Sequence, residues 1–379
     1  MNRTSDSQPP APNVPLLSPW IWLIGNRLFL VLLGFLTLTF FSAQVVPGTW
    51  RALPQNPWLD GWLRWDAGWY YELATQGYDR TVTAGQQSNT AFFPLLPLVT
   101  RLVALLVGNV ALAGLFVSYA SCGVALLVLF RLVARRFGST VALRTLLLLL
   151  FFPYSLYLSS FHTEPLFLCL VVCSFFFAEQ KSFGKAAFFA ACASATRNVG
   201  VLVSIGICVA YLDSIRFNLR RLGFDALLLG ICPLGLVLHM LFLWKHTGSP
   251  IQFVLSQAAP GWAGGALLAG QKNPSLIAAL WRFVGHPETL LFVVPSAWLL
   301  WRARHQLPLS YLVWTALTLL VSMSSPGSLG RFLIVLFPLF IAAALLPWSR
   351  RSLGVYLAAS GILLSINTVR QVLGMWVAG

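Results

Sequence analysis

One pattern constrains this chain more than any other. Apolar runs of roughly spanning length follow one another from Trp20 almost to the C-terminus. In lipid, such a run must satisfy its own backbone hydrogen bonds, which a helix does within one segment. The runs are continuous rather than alternating, which argues against a transmembrane barrel. Only 9% of the 379 residues are charged, against about 25% in an ordinary soluble domain. The fold class expected is therefore an all-α polytopic membrane protein.

The first run, Trp20–Phe41, is too long for a signal-peptide core and is preceded by Arg3 as its only basic residue. It reads as an uncleaved first helix. Further runs follow at 110–132, 140–160, 165–179, 185–196, 199–213, 225–244, 289–301, 308–323, 332–346 and 353–375. With the first, this gives roughly eleven spans. Residues 91–108 hold Pro94 and Pro97 and read as a partial or re-entrant helix. Residues 1–19 are rich in Pro, Ser and Asn and read as a disordered cytoplasmic tail. Residues 20–379 then form a single transmembrane domain.

The formal net charge is +15. In a soluble chain that would suggest nucleic acid; here it reads as the marking of cytoplasmic loops, and no nucleic-acid partner is expected. Arg131, Arg135, Arg136, Lys181, Lys185, Arg216, Arg220, Arg221, Arg302, Arg304, Arg350 and Arg351 fall on one side if the N-terminus is cytoplasmic. The other side receives the loop 44–90, the His162–Glu164 turn, the Arg197 turn, the loop 245–288 and the Ser324–Arg331 loop. Cys122, Cys169, Cys173, Cys192, Cys208 and Cys232 all lie in apolar runs and read as small packing residues. Such a multi-pass protein belongs in the plasma membrane of a prokaryote or the endoplasmic reticulum of a eukaryote.

The least lipid-like stretch is 58–101. Trp58, Trp62, Trp65 and Trp69 recur at steps of four, three and four, which on one helix puts four indoles on one face. Asp60, Asp66, Glu72 and Asp79 give it four of the ten acidic residues. Interfacial helices are expected in this large first outside loop, with indoles at headgroup level and charges toward water.

Polar residues near the outside ends of the spans are Arg64, Asp66, Glu72, Arg101, His162, Glu164, Arg197, Lys245, His246 and Arg331. Ionisable groups at membrane depth are costly and either pair or line a polar cavity. Carboxylates deprotonate hydroxyls; arginines hold phosphate through two parallel hydrogen bonds. Asp66, crowded by Trp62, Trp65, Trp69, Tyr70 and Tyr71, reads as functional, against a structural pair with Arg64 or Arg101. Glu72 reads as a solvated helix face. Glu164 precedes Pro165, so Thr163 or Glu164 capping the next helix is as good a reading as function. Arg197 and Arg331 are equally well read as snorkelling interfacial residues or as phosphate ligands. No Asp-x-Asp pair is present, and carboxylates are too few for octahedral metal coordination, so no cofactor is expected.

The ordered motifs resemble a known family. Arg64-Trp65-Asp66-Ala67-Gly68-Trp69-Tyr70, with Ala74 and Gly77-Tyr78, resembles the hallmark of the PIG-V-like mannosyltransferases, which include eukaryotic GPI mannosyltransferase 2 and many prokaryotic relatives. Ala91-Phe92-Phe93-Pro94-Leu95-Leu96-Pro97 with Arg101, Thr163-Glu164 before Leu166-Phe167, Ala195-Thr196-Arg197-Asn198-Val199-Gly200, and Gly330-Arg331-Phe332 before Phe337-Pro338-Leu339-Phe340 resemble its further elements. The resemblance runs in order from about residue 20 to 346. One departure is Pro165, where the family has Ser.

The resemblance implies a GT-C type fold, a catalytic acid in the first outside loop and a polyprenyl-phosphate or dolichyl-phosphate sugar as donor. Asp66 is then the expected general base. Arg64, Trp65, Trp69, Tyr70, Arg101, Glu164, Arg197 and Arg331 are expected around the substrates. The acceptor implied is a hydroxyl on a glycolipid or glycan, and the tail of the donor would lie among membrane lipids. The rival reading is a polytopic lipid or solute transporter. Transporters tend to carry internal repeats and polar sites near the midplane; neither is evident here. Asp66 meeting two arginines in one cavity would favour the enzyme.

Overall fold

The structure is a computed structural model describing residues 18–47, 49–83, 85–259, 262, 287–324 and 326–377. Among these residues there is no strand. Helix α1 covers Ser18–Phe40, and the first loop carries α2 (Pro57–Asp60) and α3 (Asp66–Thr75). Then come α4 (Leu95–Val107), α5 (Val110–Phe137), α6 (Ser139–Leu150), α7 (Glu164–Glu179), α8 (Phe183–Ser194) and α9 (Leu202–Ser214). The remainder is α10 (Asp225–Leu228), α11 (Leu234–Thr247), α12 (Gln252–Gln257), α13 (Pro287–Ala303), α14 (Leu309–Ser322), α15 (Leu329–Leu333), α16 (Phe337–Ala344) and α17 (Arg350–Val372).

The corners are written in the sequence. Gly108 takes a left-handed φ of 74° and stops α4. Asn109 next to it accepts from the Leu112 N–H and caps α5. Gly138, at φ 85°, ends α5 directly after Arg135 and Arg136, whose charges suit a helix C-terminus.

Helices α5, α7 and α8 form the centre. Helix α7 packs against both α5 and α8, α4 and α6 flank α5, α9 joins α8 to α14, and α1 pairs with α17. The α8 face toward its neighbours is Ala186, Ala187, Ala190 and Ala193, all fully buried. Small residues let helix backbones approach closely, which drives association in lipid where the hydrophobic effect cannot. The outside of the bundle is the reverse. Leu98, Leu102, Leu105 and Leu106 of α4 stand exposed, as do Leu234, Val237, Leu238 and Leu241 of α11. An apolar exterior of this extent needs lipid around it.

Among the described residues, four helices are long and apolar enough to cross a membrane: Pro19–Phe40, Val110–Phe137, the combined Asp225–Thr247 and Arg350–Val372. Six more apolar helices are shorter. The long runs break where the sequence carries helix-stopping residues. The 140–160 run ends as a helix at Leu150, two residues before the Phe152-Pro153 step. The 225–244 run breaks at Pro233 and the 332–346 run at Phe337-Pro338. The stretch 91–108 is a single 13-residue helix starting at Leu95, after Pro94.

The tryptophan stripe is not one helix. Helices α2 and α3 are separated by Gly61–Trp65, so Trp58 is exposed while Trp62 is buried against α1. The expected tail, apart from Ser18 and Pro19, and most of the 245–288 loop fall outside the described residues.

Candidate active site

The site is assembled where α3 meets the N-terminal end of α7, the turn after α8, and α15. Helix α3 opens at Asp66, and the residue before it, Trp65, takes φ 57° and ψ −127°. That conformation costs a non-glycine residue about 1–3 kcal/mol and persists only when its surroundings fix it. Here the Trp65 ring is held edge-on at 4.9 Å from Trp376. Gly68 permits the other wall. A Cβ at that position would lie 1.8 Å from Trp50 Cζ3, so only glycine lets that indole rest on α3.

Arg197 stands in the turn between α8 and α9. Gly200 folds that turn back onto α8; a Cβ there would meet the Ala193 carbonyl oxygen at 2.1 Å. The spacing of Arg197 and Gly200 thus has a steric reason. Arg331 comes from the short α15. Glu164 is the first residue of α7, with Pro165 behind it in the first turn, and the Thr163 side chain makes no capping bond.

These four residues form one chain of ion pairs. Arg331 Nη1 donates to Asp66 Oδ2 at 2.6 Å, and Arg331 Nε donates to Glu164 Oε1 at 2.5 Å. Arg197 Nη1 donates to the same Glu164 oxygen at 2.6 Å. Glu164 is fully buried and its Oε2 has no partner, whereas the Asp66 side chain is 32% exposed. Arg331 lies over the Tyr157 ring at 4.9 Å and Arg197 over the Phe332 ring at 4.8 Å, so each guanidinium is also held by an aromatic face.

Asp66, Arg197 and Arg331 open onto a cavity of about 810 Å³. Trp65, Trp69 and Tyr70 line it. Trp69 stacks on Phe92 at 5.8 Å and meets Trp262 edge-on. Burial raises the Tyr70 phenol above its ordinary value, leaving it a neutral donor. Glu72 also lines the cavity; burial first, and then Asp79, raise its carboxyl above the ordinary value.

Three expected residues sit elsewhere. Arg64 is buried away from the cavity, its Nη1 2.7 Å from Oδ2 of Asp60, four residues earlier. Arg101 is exposed on α4, and its Nε donates to the Ala74 carbonyl at 2.7 Å. Both are therefore corrected out of the cavity lining. Glu164 does not line the cavity either; it stands behind the two arginines and anchors both. Asp66 pairs with Arg331, not with Arg64 or Arg101. Among the other polar candidates, His246 Nε2 meets the Asp79 carbonyl at 2.8 Å, and His162 Nδ1 meets Ser160 Oγ at 2.8 Å.

Cavity residues missed from the sequence include Trp50, Asn198, Trp262, Phe332 and Trp376. Trp50 and Trp376 lie outside every motif, and only Gly68, lacking a side chain at an aromatic contact, hinted at Trp50. Among the described residues, no group of three or more His, Cys, Asp or Glu could hold a metal ion.

No protein-family model and no curated protein matches this chain. Solved structures do. An oligosaccharyltransferase of Archaeoglobus fulgidus, solved with zinc and sulfate, is 14% identical over 94% of this chain and 53% of its own, with a TM-score of 0.50. ArnT of Cupriavidus metallidurans, solved with undecaprenyl phosphate, is 17% identical over 92% of this chain and 64% of its own, with a TM-score of 0.49. The chain thus spans little more than half of the first and under two thirds of the second. The likeness shows the fold: an all-helical, polytopic chain of the GT-C type.

Proposed function

We propose that this chain is an integral-membrane glycosyltransferase that moves a sugar, in our reading mannose, from a polyprenyl-phosphate carrier to an acceptor hydroxyl. The observation that carries the reading is the meeting of Asp66, Arg197 and Arg331 in one aromatic-walled cavity. A transporter does not need a carboxylate placed beside two guanidinium groups; a transfer from lipid phosphate does. The mannose assignment rests on the motif resemblance alone.

The chemistry follows from the geometry. The acceptor oxygen bonds to the anomeric carbon while its proton passes to Asp66. The bond from that carbon to the phosphate oxygen breaks, and its electron pair stays on the phosphate, which Arg197 and Arg331 hold as charge develops. Glu164 is buried behind both arginines, so it is not available as a nucleophile for a second displacement. One displacement inverts the anomeric centre. We write the reaction without a metal. Trp65, Trp69 and Trp50 offer faces on which sugar rings stack.

The test is transfer of radiolabelled sugar from mannosyl polyprenyl phosphate in membranes containing the chain, followed by identification of the labelled product. A product formed by the native chain and lost in Asp66→Asn is expected. If neither mannosyl nor any other polyprenyl-phosphate sugar gives an Asp66-dependent product, the proposal is wrong.

A further inference from the structure

We infer that the donor phosphate releases the base, so that Asp66 becomes competent only when the lipid-linked sugar is seated; this rests on the glycosyltransferase reading above. Asp66 and Glu164 contribute two negative charges, and Arg197 and Arg331 two positive ones, so the cluster is neutral before any substrate arrives. A phosphodiester entering the cavity brings a further negative charge to arginines that are already paired. It must take a cation from a carboxylate already holding one.

The geometry says which contact gives way. Glu164 Oε1, which accepts from Arg331 Nε and Arg197 Nη1, is fully buried behind the two guanidinium groups and does not line the cavity. The contact of Arg331 Nη1 with Asp66 Oδ2 is different. It faces the cavity, and the Asp66 side chain is 32% exposed. The planar guanidinium is thus pinned along one edge by Glu164 and exchangeable at its outer nitrogen. A phosphate oxygen replacing Asp66 at Nη1 needs only local movement. Trp65, at φ 57°, holds the helix terminus that carries Asp66, so the released carboxylate stays beside the reaction centre.

The consequence is unusual for an enzyme base. With Arg331 on it, Asp66 Oδ2 is held in an ion pair. With phosphate on Arg331, Asp66 is free to take the proton of an acceptor hydroxyl. Order of binding follows: donor first, acceptor second. A sugar-bearing acceptor alone finds the base still paired with Arg331.

Removing the Asp66 charge should therefore destroy turnover yet tighten lipid-phosphate binding. The experiment measures binding of undecaprenyl phosphate to the purified full chain in detergent. The variants are Asp66→Asn, Asp66→Ser and Glu72→Gln, and two substitutions at Asp66 guard against a folding defect in one. A competing charge-assisted hydrogen bond lost from Arg331 should raise affinity about tenfold in either Asp66 variant. Glu72→Gln removes the same charge from the cavity wall without freeing an arginine, so its gain should be much smaller. Native binding that is unchanged or weakened in both Asp66 variants, or an equal gain in Glu72→Gln, overturns the release of the base and leaves the glycosyltransferase reading standing. Binding absent from the native chain and every variant overturns both.

Discussion

Asp60 and Asp66 flank the same short connection, and each lies against an arginine. Asp60 pairs with Arg64 at 2.7 Å, both 1% exposed, and its other oxygen accepts from the Leu53 N–H. Asp66 pairs with Arg331 at 2.6 Å but keeps a third of its side chain toward the cavity. The first pair joins neighbouring turns of one chain segment. The second ties the first loop to α15, and through Glu164 to α7 and the turn after α8. The same residue types therefore serve opposite purposes. A closed pair between sequence neighbours staples a loop. An open pair between distant elements leaves a charged group that a ligand can reach and exchange.

The largest expected effect separates the two acids. Asp66→Asn should lose about 10²-fold or more in turnover, the scale of general-base removal, with thermal stability and membrane insertion close to native. Asp60→Asn should do the reverse. It strands a buried Arg64, which costs about 3–5 kcal/mol, so the protein should melt early while whatever folds still turns over. Turnover per folded molecule and a thermal melt, measured on both variants, decide it. A stable, inactive Asp60→Asn would erase the contrast.

Next in size are the arginines. Arg197→Ala and Arg331→Ala should weaken use of the donor more than use of the acceptor, by about 10-fold or more, because each removes a charge-assisted bond to phosphate. Arg101→Ala should change turnover little and stability within about 0.5 kcal/mol, as for an exposed residue with one backbone bond. Kinetics with donor varied at fixed acceptor, then the reverse, would show it. An unchanged donor dependence in both inner variants would leave them as structural anchors only.

A smaller effect is expected at the wall. Gly68→Ala puts a Cβ into the Trp50 indole. The helix has little freedom to move, since Ala67, Leu73 and Ala74 of α3 are buried, whereas the half-exposed indole can swing. Acceptor use should fall several-fold, with donor binding preserved. A loss confined to donor binding would place Trp50 on the other substrate.

How much of this was legible beforehand follows from the physics of each signal. Spanning helices show as unbroken apolar runs, so the class was plain. The breaks at Pro153 and Pro338 turn two expected spans into shorter helices, because a proline blocks the helix before it. Asp66, Arg197 and Arg331 stand out in the sequence because ionisable groups at membrane depth need a reason to be there. Arg64 carries the same signal but lies outside the cavity, beside Asp60. Its nearness to Asp66 in sequence concealed the steric fact that Trp65, with a positive φ, reverses direction between them. Arg101 failed similarly: its charge is real, but α4 points it toward the Ala74 carbonyl. The bridging role of Glu164 needed three elements to meet, which no local pattern encodes. Trp50 and Trp376 reach the cavity from opposite ends of the chain for the same reason.

The smallest effect concerns Glu72, the second carboxylate on the cavity wall. It has neither an arginine against it nor deep burial, so it matches neither of the two acids compared above. Burial and Asp79 raise its folded-state pKa above the ordinary carboxylate value. Folding therefore favours the protonated form. The stability it contributes is present below the unfolded pKa and is lost as pH rises through the folded one. At neutral pH the ionised group is a mild burden, and Glu72→Gln should raise the melting temperature slightly there. In acid the two proteins should converge. Turnover should stay near native, because Glu72 is more than a turn beyond Asp66 along α3 and touches neither arginine. Melting curves of both proteins across the acid range, with transfer assayed at neutral pH, provide the check. If Glu72→Gln is inactive while Asp66→Asn still transfers sugar, the proton goes to the acid without an arginine, and the exchange at Arg331 has no part in the reaction.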